Sequence, residues 1–246
     1  MATSTPVQSP TSEDNIAAMF NRIAGRYDFL NRLLSIRQDV RWRRHLVNQL
    51  PTRDGLTLVD VATGTGDVLI AAAKKHPNYG EYVGVDISAG MLQIAEKKLS
   101  RHLSDKAYRL QKMSAESLAM PNETVDALTI SFGLRNVVQK ENALEEFFRV
   151  LRPNGTLVIL EFFIPQTGLL ARLFQFYFHQ ILPRLGALIS DKEAYRYLPE
   201  SVGSFYSLPE LEAKLKTKGM QVIGVKNFLF GACKLITARK LPPCCR

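Results

Sequence analysis

The sequence predicts an α/β fold: a seven-stranded, mostly parallel sheet with helices on both faces, a C-terminal antiparallel hairpin and an N-terminal helical cap. Three observations carry it. The aliphatic run of Leu56, Leu58, Val59 and Val61 passes into a turn with Gly64 and Gly66 and then into helix-forming residues, which is a strand, tight turn and helix. From there strand and helix patterns alternate, as in a parallel sheet with its ligand at the carboxyl ends of the strands. The last two strand patterns, 220–227 and 232–239, are joined by too few residues for a crossover helix, so they pair antiparallel.

Residues 1–13, rich in Ser, Thr and Pro, read as a disordered tail without the apolar core of a secretion signal or the arginines of a transit peptide. The remainder, 14–240, reads as one domain, with 241–246 as a second tail. Residues 14–50 form the cap: Ile16, Met19, Phe20 and Ile23 recur at helical spacing, Arg26-Tyr27-Asp28 interrupts, and Leu30, Leu33, Leu34, Val40, Trp42, Leu46 and Val47 resume. At the expected break Tyr27 and Asp28 either line a pocket or cap the next helix. Arg37, Arg41, Arg43 and Arg44 form a basic cluster that is either a solvated face or a contact for anionic lipid headgroups.

The strands are expected at 56–61, 81–86, 108–113, 124–131, 155–161, 220–227 and 232–239. After Asp67, Val68, Leu69 and three alanines favour helix until Pro77 ends it. Residues 162–206 are an insertion whose segment 169–182 is apolar nearly all round. Such a helix is plain core, the wall of a pocket for a long apolar substrate, or a membrane-interface element. Tyr195 and Tyr197 follow it, and Ser207 with Glu210 makes a capping box for the last helix.

The turn also narrows the ligand. A dinucleotide-binding turn needs a third glycine where this chain has Leu69. S-adenosylmethionine has no pyrophosphate and needs only close backbone approach and polar partners. Asp86, at the end of the second strand, is placed to accept its ribose hydroxyls. Separately, Gly64 and Gly66 are an ordinary tight turn and Asp86 a helix cap; neither reading explains both together. Ser114 and Ala115, after the third strand, are candidates for the adenine edge. Ser131, after the fourth, lies either near the sulfonium or as a helix cap.

The formal charge of +9 and pI near 9.5 admit nucleic acid, an anionic membrane or an acidic substrate as partners. No window offers the roughly 20 apolar residues of a membrane span. Cys233, Cys244 and Cys245 provide no spaced pairs for zinc, no metal-ligand cluster is visible, and a reducing cytoplasm fits best.

Four stretches complete the reading: Met19–Asp28, Asp60–Asp67, Ile130–Val137 and Tyr195–Ser201. With them the chain resembles, from about residue 14 to 240, the menaquinone and ubiquinone biosynthesis C-methyltransferase family, which includes demethylmenaquinone methyltransferases. The second stretch is shared with many methyltransferases; the third and fourth are close to diagnostic. The resemblance implies a class I S-adenosylmethionine-dependent methyltransferase fold, with cofactor contacts carried onto Thr65, Asp86, Ser114, Ala115 and Ser131, beside the cofactor-binding turn of Gly64 and Gly66 already read from the residues. Ser114-Ala115 departs from the family's frequent Asn-Ala or Asp-Ala, which places weight on a backbone contact to adenine. Ala62, where generic methyltransferases have glycine, resembles the family's own pattern.

The implied reaction moves a methyl group to a ring carbon of a membrane-embedded polyprenylated quinol, demethylmenaquinol first and a methoxybenzoquinol of ubiquinone biosynthesis as the alternative. A ring carbon is a poor nucleophile until the neighbouring hydroxyl loses its proton, so a base or a held water and a stabilising cation are needed. Arg135, Asp28 and Tyr27 are the catalytic candidates; Arg135, Asn136, Tyr195 and Tyr197 are the substrate-side ones. A cytoplasmic protein touching the inner, anionic face of the membrane follows. A nucleic-acid methyltransferase would explain the charge but lacks Pro-Pro-type or cysteine motifs, and a non-catalytic membrane-surface scaffold is the third alternative.

Overall fold

The computed structural model describes residues 12–165 and 192–242, with backbone alone at 34 and 192–196. Two helices open the chain: α1 (Glu13–Leu34), capped by the Ser12 side chain, and α2 (Gln38–Val47). Helix α1 runs unbroken through Arg26-Tyr27-Asp28, correcting the expected interruption. No proline lies in that stretch, and Gly25 alone costs a helix only about 1 kcal/mol. Strand and helix then alternate as β1 (Thr57–Val61), α3 (Asp67–Lys75), β2 (Glu81–Asp86), α4 (Ala89–His102), β3 (Tyr108–Lys112), β4 (Val125–Ser131), α5 (Lys140–Val150) and β5 (Leu151–Phe162). Helices α6 (Lys192–Gly203) and α7 (Leu208–Thr217) precede β6 (Met220–Phe228) and β7 (Cys233–Lys240).

The seven strands form one sheet in the order β3-β2-β1-β4-β5-β7-β6. The first five are parallel, and β7 pairs antiparallel with both β5 and β6. Between β1 and β4 the order reverses direction, which makes their carboxyl ends the switch point where open α/β sheets bind ligands. Strand β1 is buried almost throughout, as its aliphatic run requires. Two apolar clusters, one on each face of the sheet, bury residues such as Leu128, Phe147 and Ile159 on one side and Leu58, Leu69 and Tyr82 on the other.

The missing third glycine of the turn has a structural counterpart. A Cβ on Gly84 of β2 would lie 2.9 Å from Leu69 Cδ1 and 2.7 Å from Leu110 Cδ2. The glycine that lets α3 approach the sheet therefore sits on the neighbouring strand. The capping box forms, with Ser207 N–H donating to Glu210 Oε2 at 2.8 Å. The 169–182 segment, Cys244, Cys245 and most of both tails lie outside the described residues.

Candidate active site

The turn after β1 is built on positive φ angles: 51° at Ala62, 55° at Gly64 and 80° at Gly66. Glycine meets the last two at no steric cost. The turn is pinned from the next strand, since Gly64 N–H donates to Asp86 Oδ2 at 2.8 Å and Ser88 N–H to Asp86 Oδ1 at 2.8 Å. Burial pushes the Asp86 carboxyl above its ordinary range, and the two N–H donors oppose that shift. Beneath the turn, Asp60 accepts hydrogen bonds from Thr63 Oγ1 at 2.7 Å and Thr129 Oγ1 at 2.6 Å. Burial still pushes its pKa up to about 7.

The turn after β4 is strained in the same way, with Phe132 at φ 56°. The two turns meet: a Cβ on Gly133 would fall 2.5 Å from the Ala62 Cβ. Strained backbone of this kind persists where the surroundings over-determine it and collects at ligand sites.

Two adjoining cavities open at this meeting point. One, with about 660 Å³ of empty space, is lined by Gly64, Asp86, Met113, Ser114, Ala115 and Ser131. The other, with about 780 Å³, has an aromatic wall of Tyr27, Trp42, Phe132, Phe162 and Tyr197, with Arg135 among them. Phe20, Tyr27, Phe132 and Asn136 belong to both linings and form the partition.

At the partition the polar groups of the fourth-strand turn are incompletely satisfied. Arg135 Nη1 donates to Glu161 Oε1 at 2.6 Å and to the Phe132 carbonyl at 2.7 Å. Glu161, fully buried, also accepts from the backbone N–H of Arg135 and of Phe162. Yet Ser131 Oγ, Arg135 Nε and Asn136 Oδ1 are buried without a hydrogen-bond partner among the described residues. Orphaned buried polar atoms cost about 1–3 kcal/mol each, so three at one corner make it a candidate ligand site. Tyr27 and Tyr197 hold their protons firmly because burial raises both phenols.

Over residues 8–240 the chain matches the sequence model of the ubiE/COQ5 methyltransferase family. The chain belongs to that family. Among proteins it resembles is a "Ubiquinone/menaquinone biosynthesis C-methyltransferase UbiE" of Syntrophotalea carbinolica, 44% identical over 91% of this chain and 94% of the relative. One of the same description from Geobacter sulfurreducens is 40% identical over 92% and 89%. Solved structures show the fold alone at lower identity. A SAM-dependent methyltransferase from Aquifex aeolicus superposes with TM-score 0.61 at 19% identity, over 94% of this chain and 99% of that one. The [4+2]-cyclase SpnF superposes with TM-score 0.69 at 16% identity, over 98% and 99%. The protein is thus an S-adenosylmethionine-dependent methyltransferase of the ubiE/COQ5 family, and the buried hydroxyl of Ser131 beside the glycine turn and Asp86 fits that cofactor.

Of the residues singled out in the sequence, Gly64, Asp86, Ser114, Ala115 and Ser131 line the first cavity of this family member, and Arg135 and Tyr197 the second. Tyr27 and Asn136 touch both. Three are turned elsewhere. Gly66 faces α4, where a Cβ would lie 3.2 Å from Leu99 Cδ1. The Thr65 hydroxyl donates to Asp28 Oδ1 at 2.6 Å, and Asp28 also accepts from Lys98 Nζ at 2.8 Å. Asp28 lines neither cavity, because neighbours on a helix point about 100° apart and Tyr27 takes the inward direction. The Tyr195 side chain lies outside the described residues. Sequence reasoning missed Glu161, whose signal was a lone carboxylate ending an apolar strand. It also placed Arg43 in a surface cluster, whereas Arg43 pairs with Asp39 at 2.6 Å and Asp67 at 3.4 Å and lines the second cavity.

Proposed function

We propose that the protein transfers a methyl group from S-adenosylmethionine to a ring carbon of a polyprenylated quinol, and that this acceptor is demethylmenaquinol. The observation that carries the reading is the partition: two cavities share Tyr27 and Asn136, and three unanswered polar atoms lie on or beside it. The relatives' names support the chemistry, since each couples ubiquinone and menaquinone biosynthesis to C-methylation. The aromatic wall supports a naphthoquinol. Phe132 stacks on Phe162 at 4.7 Å and Trp42 stands 6.1 Å from Phe132, surfaces suited to a fused apolar ring.

In this reading Gly64 lets the backbone approach the donor, and Asp86 takes the ribose hydroxyls on the remaining lone pairs of its two oxygens. Ser114 and Ala115 border the adenine and Ser131 the amino-acid end. When bound, adenosylmethionine supplies an electrophilic methyl group. The chain's task is then to hold the acceptor in line and exclude water. Asn136 and Tyr27 orient the ring hydroxyl at the partition, and Arg135 stabilises negative charge on that oxygen as its proton leaves. Asp28 is not the base, because its carboxylate is engaged by Lys98 and Thr65 outside the cavities. The hydroxyl proton leaves through a water held by these polar groups. After the methyl joins the ring carbon, that carbon's own proton is lost and the ring oxygen regains one by the same route, which restores the aromatic quinol. Among the described residues no helix is long and apolar enough to cross a membrane. In this reading the protein meets a membrane-held quinol from the bilayer surface.

The test is mass spectrometry of the quinone pool in a host lacking its own quinol C-methyltransferase. Restored methylation of menaquinone is the expected result. Restoration of ubiquinone alone moves the acceptor to the benzoquinol, and restoration of neither rejects the assignment.

A further inference from the structure

Helix α1 has two faces. Its inner face, through Phe20, Tyr27, Leu30 and Asn31, lines the cavities. Its outer face carries Arg22, Arg26, Phe29 and Leu33 at alternating spacings of four and three, one stripe along a helix. That stripe ends in exposed apolar groups: Phe29 is 62% exposed, Leu33 49% and Ile36, just past the helix, 82%. Single exposed apolar residues are ordinary, but three large ones gathered at a corner mark a contact surface.

The corner has a strained backbone. Ile36 and Arg37 are consecutive non-glycine residues at φ 51° and 58°, a conformation unfavourable for a β-branched residue. In that conformation the Ile36 side chain stands exposed just before α2. From there Arg37, Arg41 and Arg44 recur on one exposed face of α2, opposite buried Trp42 and Leu46.

The acids of this region point the other way. Asp28 is engaged by Lys98 and Thr65, and Asp39 is buried against Ser35 and Arg43. The outward charge at the corner is therefore positive, in a chain that carries +9 overall.

We propose that the α1–α2 corner docks on an anionic lipid bilayer, with Phe29, Leu33 and Ile36 entering the headgroup boundary and Arg37, Arg41 and Arg44 meeting the phosphates. This deepens the proposed function and rests on it for the identity of the cargo. Apolar residues beside cationic ones are what an interfacial element needs, and attraction to anionic lipid adds to apolar burial. Position supports the same occupant. Leu30, Asn31 and Ser35 of the second cavity alternate with the exposed residues, so among the described residues α1, about 10 Å across, stands between the cavity and that face. A long-tailed acceptor then leaves the lipid at the corner and enters the aromatic cavity without crossing water.

The test is co-sedimentation of the full chain with phosphatidylglycerol-containing vesicles, beside phosphatidylcholine vesicles and a triple variant Phe29→Gln, Leu33→Gln, Ile36→Asn. Asn tolerates the left-handed conformation better than Ile, and the other two positions are exposed, so the variant keeps its fold. Retention on the anionic vesicles, weakened by salt and reduced about tenfold or more in the variant, with turnover of a tail-less soluble quinol unchanged, supports the proposal. Wild-type protein that stays in the supernatant overturns it, as does a variant that sediments like wild type. Self-association that the triple substitution abolishes also overturns it and assigns the corner to a second copy. Vesicle binding lost in the variant, with no quinol methylated by either protein, leaves the docking surface standing and rejects the function instead.

Discussion

Ser131 ends β4 with a buried hydroxyl that no group among the described residues answers. In the proposed reading its removal takes nothing from the fold and one hydrogen bond from the ligand. Ser131→Ala is expected to weaken adenosylmethionine binding about five- to tenfold, the value of a hydrogen bond of about 1–1.5 kcal/mol. Calorimetric titration beside an unchanged melting temperature checks it. Arg135 behaves differently because its partner is fully buried. Arg135→Met strands the Glu161 carboxylate, which costs about 3–5 kcal/mol. The double variant Arg135→Met, Glu161→Gln is expected to recover most of that stability and none of the activity, as denaturant titration and turnover will show. Ser131, Asp86 and Asn136 were legible in the sequence because each follows a recognisable strand end. Glu161 was not, because its meeting with Arg135 depends on the β4–β5 register, which sets Ser131 beside Leu160, and no local pattern encodes that pairing.

At the scale of elements, the cap is held to the cofactor turn by a charge network. Lys98 of α4 pairs with Asp28 of α1 and Asp67 at the start of α3, while Arg43 of α2 also reaches Asp67 at 3.4 Å. Burial pushes the Asp67 carboxyl up, but Arg43, Lys98 and Arg32 more than offset it and leave it below its ordinary value. These side chains are only partly exposed, so Lys98→Met is expected to cost about 2 kcal/mol, between the values of surface and buried pairs. Hydrogen exchange is expected to quicken in α1 and not in β4 or β5. Strand positions were legible from aliphatic runs and turn residues. The start of β5 was not: Pro153-Asn154-Gly155 reads as a breaker, yet Leu151 pairs with Val125 across a register shift and Asn154 adopts φ 65°. The continuity of α1 was also hidden, because polar residues that face α4 and the cofactor turn look, in one dimension, like a break.

For the whole molecule, the sheet order gathers the ends of β1, β2, β3 and β4 on one rim, where both cavities lie. That rim has a titration signature. Asp60 rises from 3.8 to about 7 through burial, so between those values the folded state binds more protons than the unfolded one. Its contribution to stability is fully present below pH 3.8 and is lost as pH rises through about 7. Asp60→Asn is expected to remove this fall, seen as a difference between variant and wild-type denaturation midpoints that changes across that window. The alternation of strands and helices was enough to place the rim. The division of the rim into two cavities was not legible, since it depends on how α1 lies across the sheet.

The central claim is that the two cavities bring a methyl donor and a quinol ring together across Tyr27 and Asn136. The most direct test incubates purified protein with adenosylmethionine carrying a deuterated methyl group and a reduced demethylmenaquinol, followed by mass spectrometry of the product. The intact trideuteromethyl group is expected on a ring carbon. Label on a quinol oxygen, or no transfer while the protein binds adenosylmethionine, contradicts it.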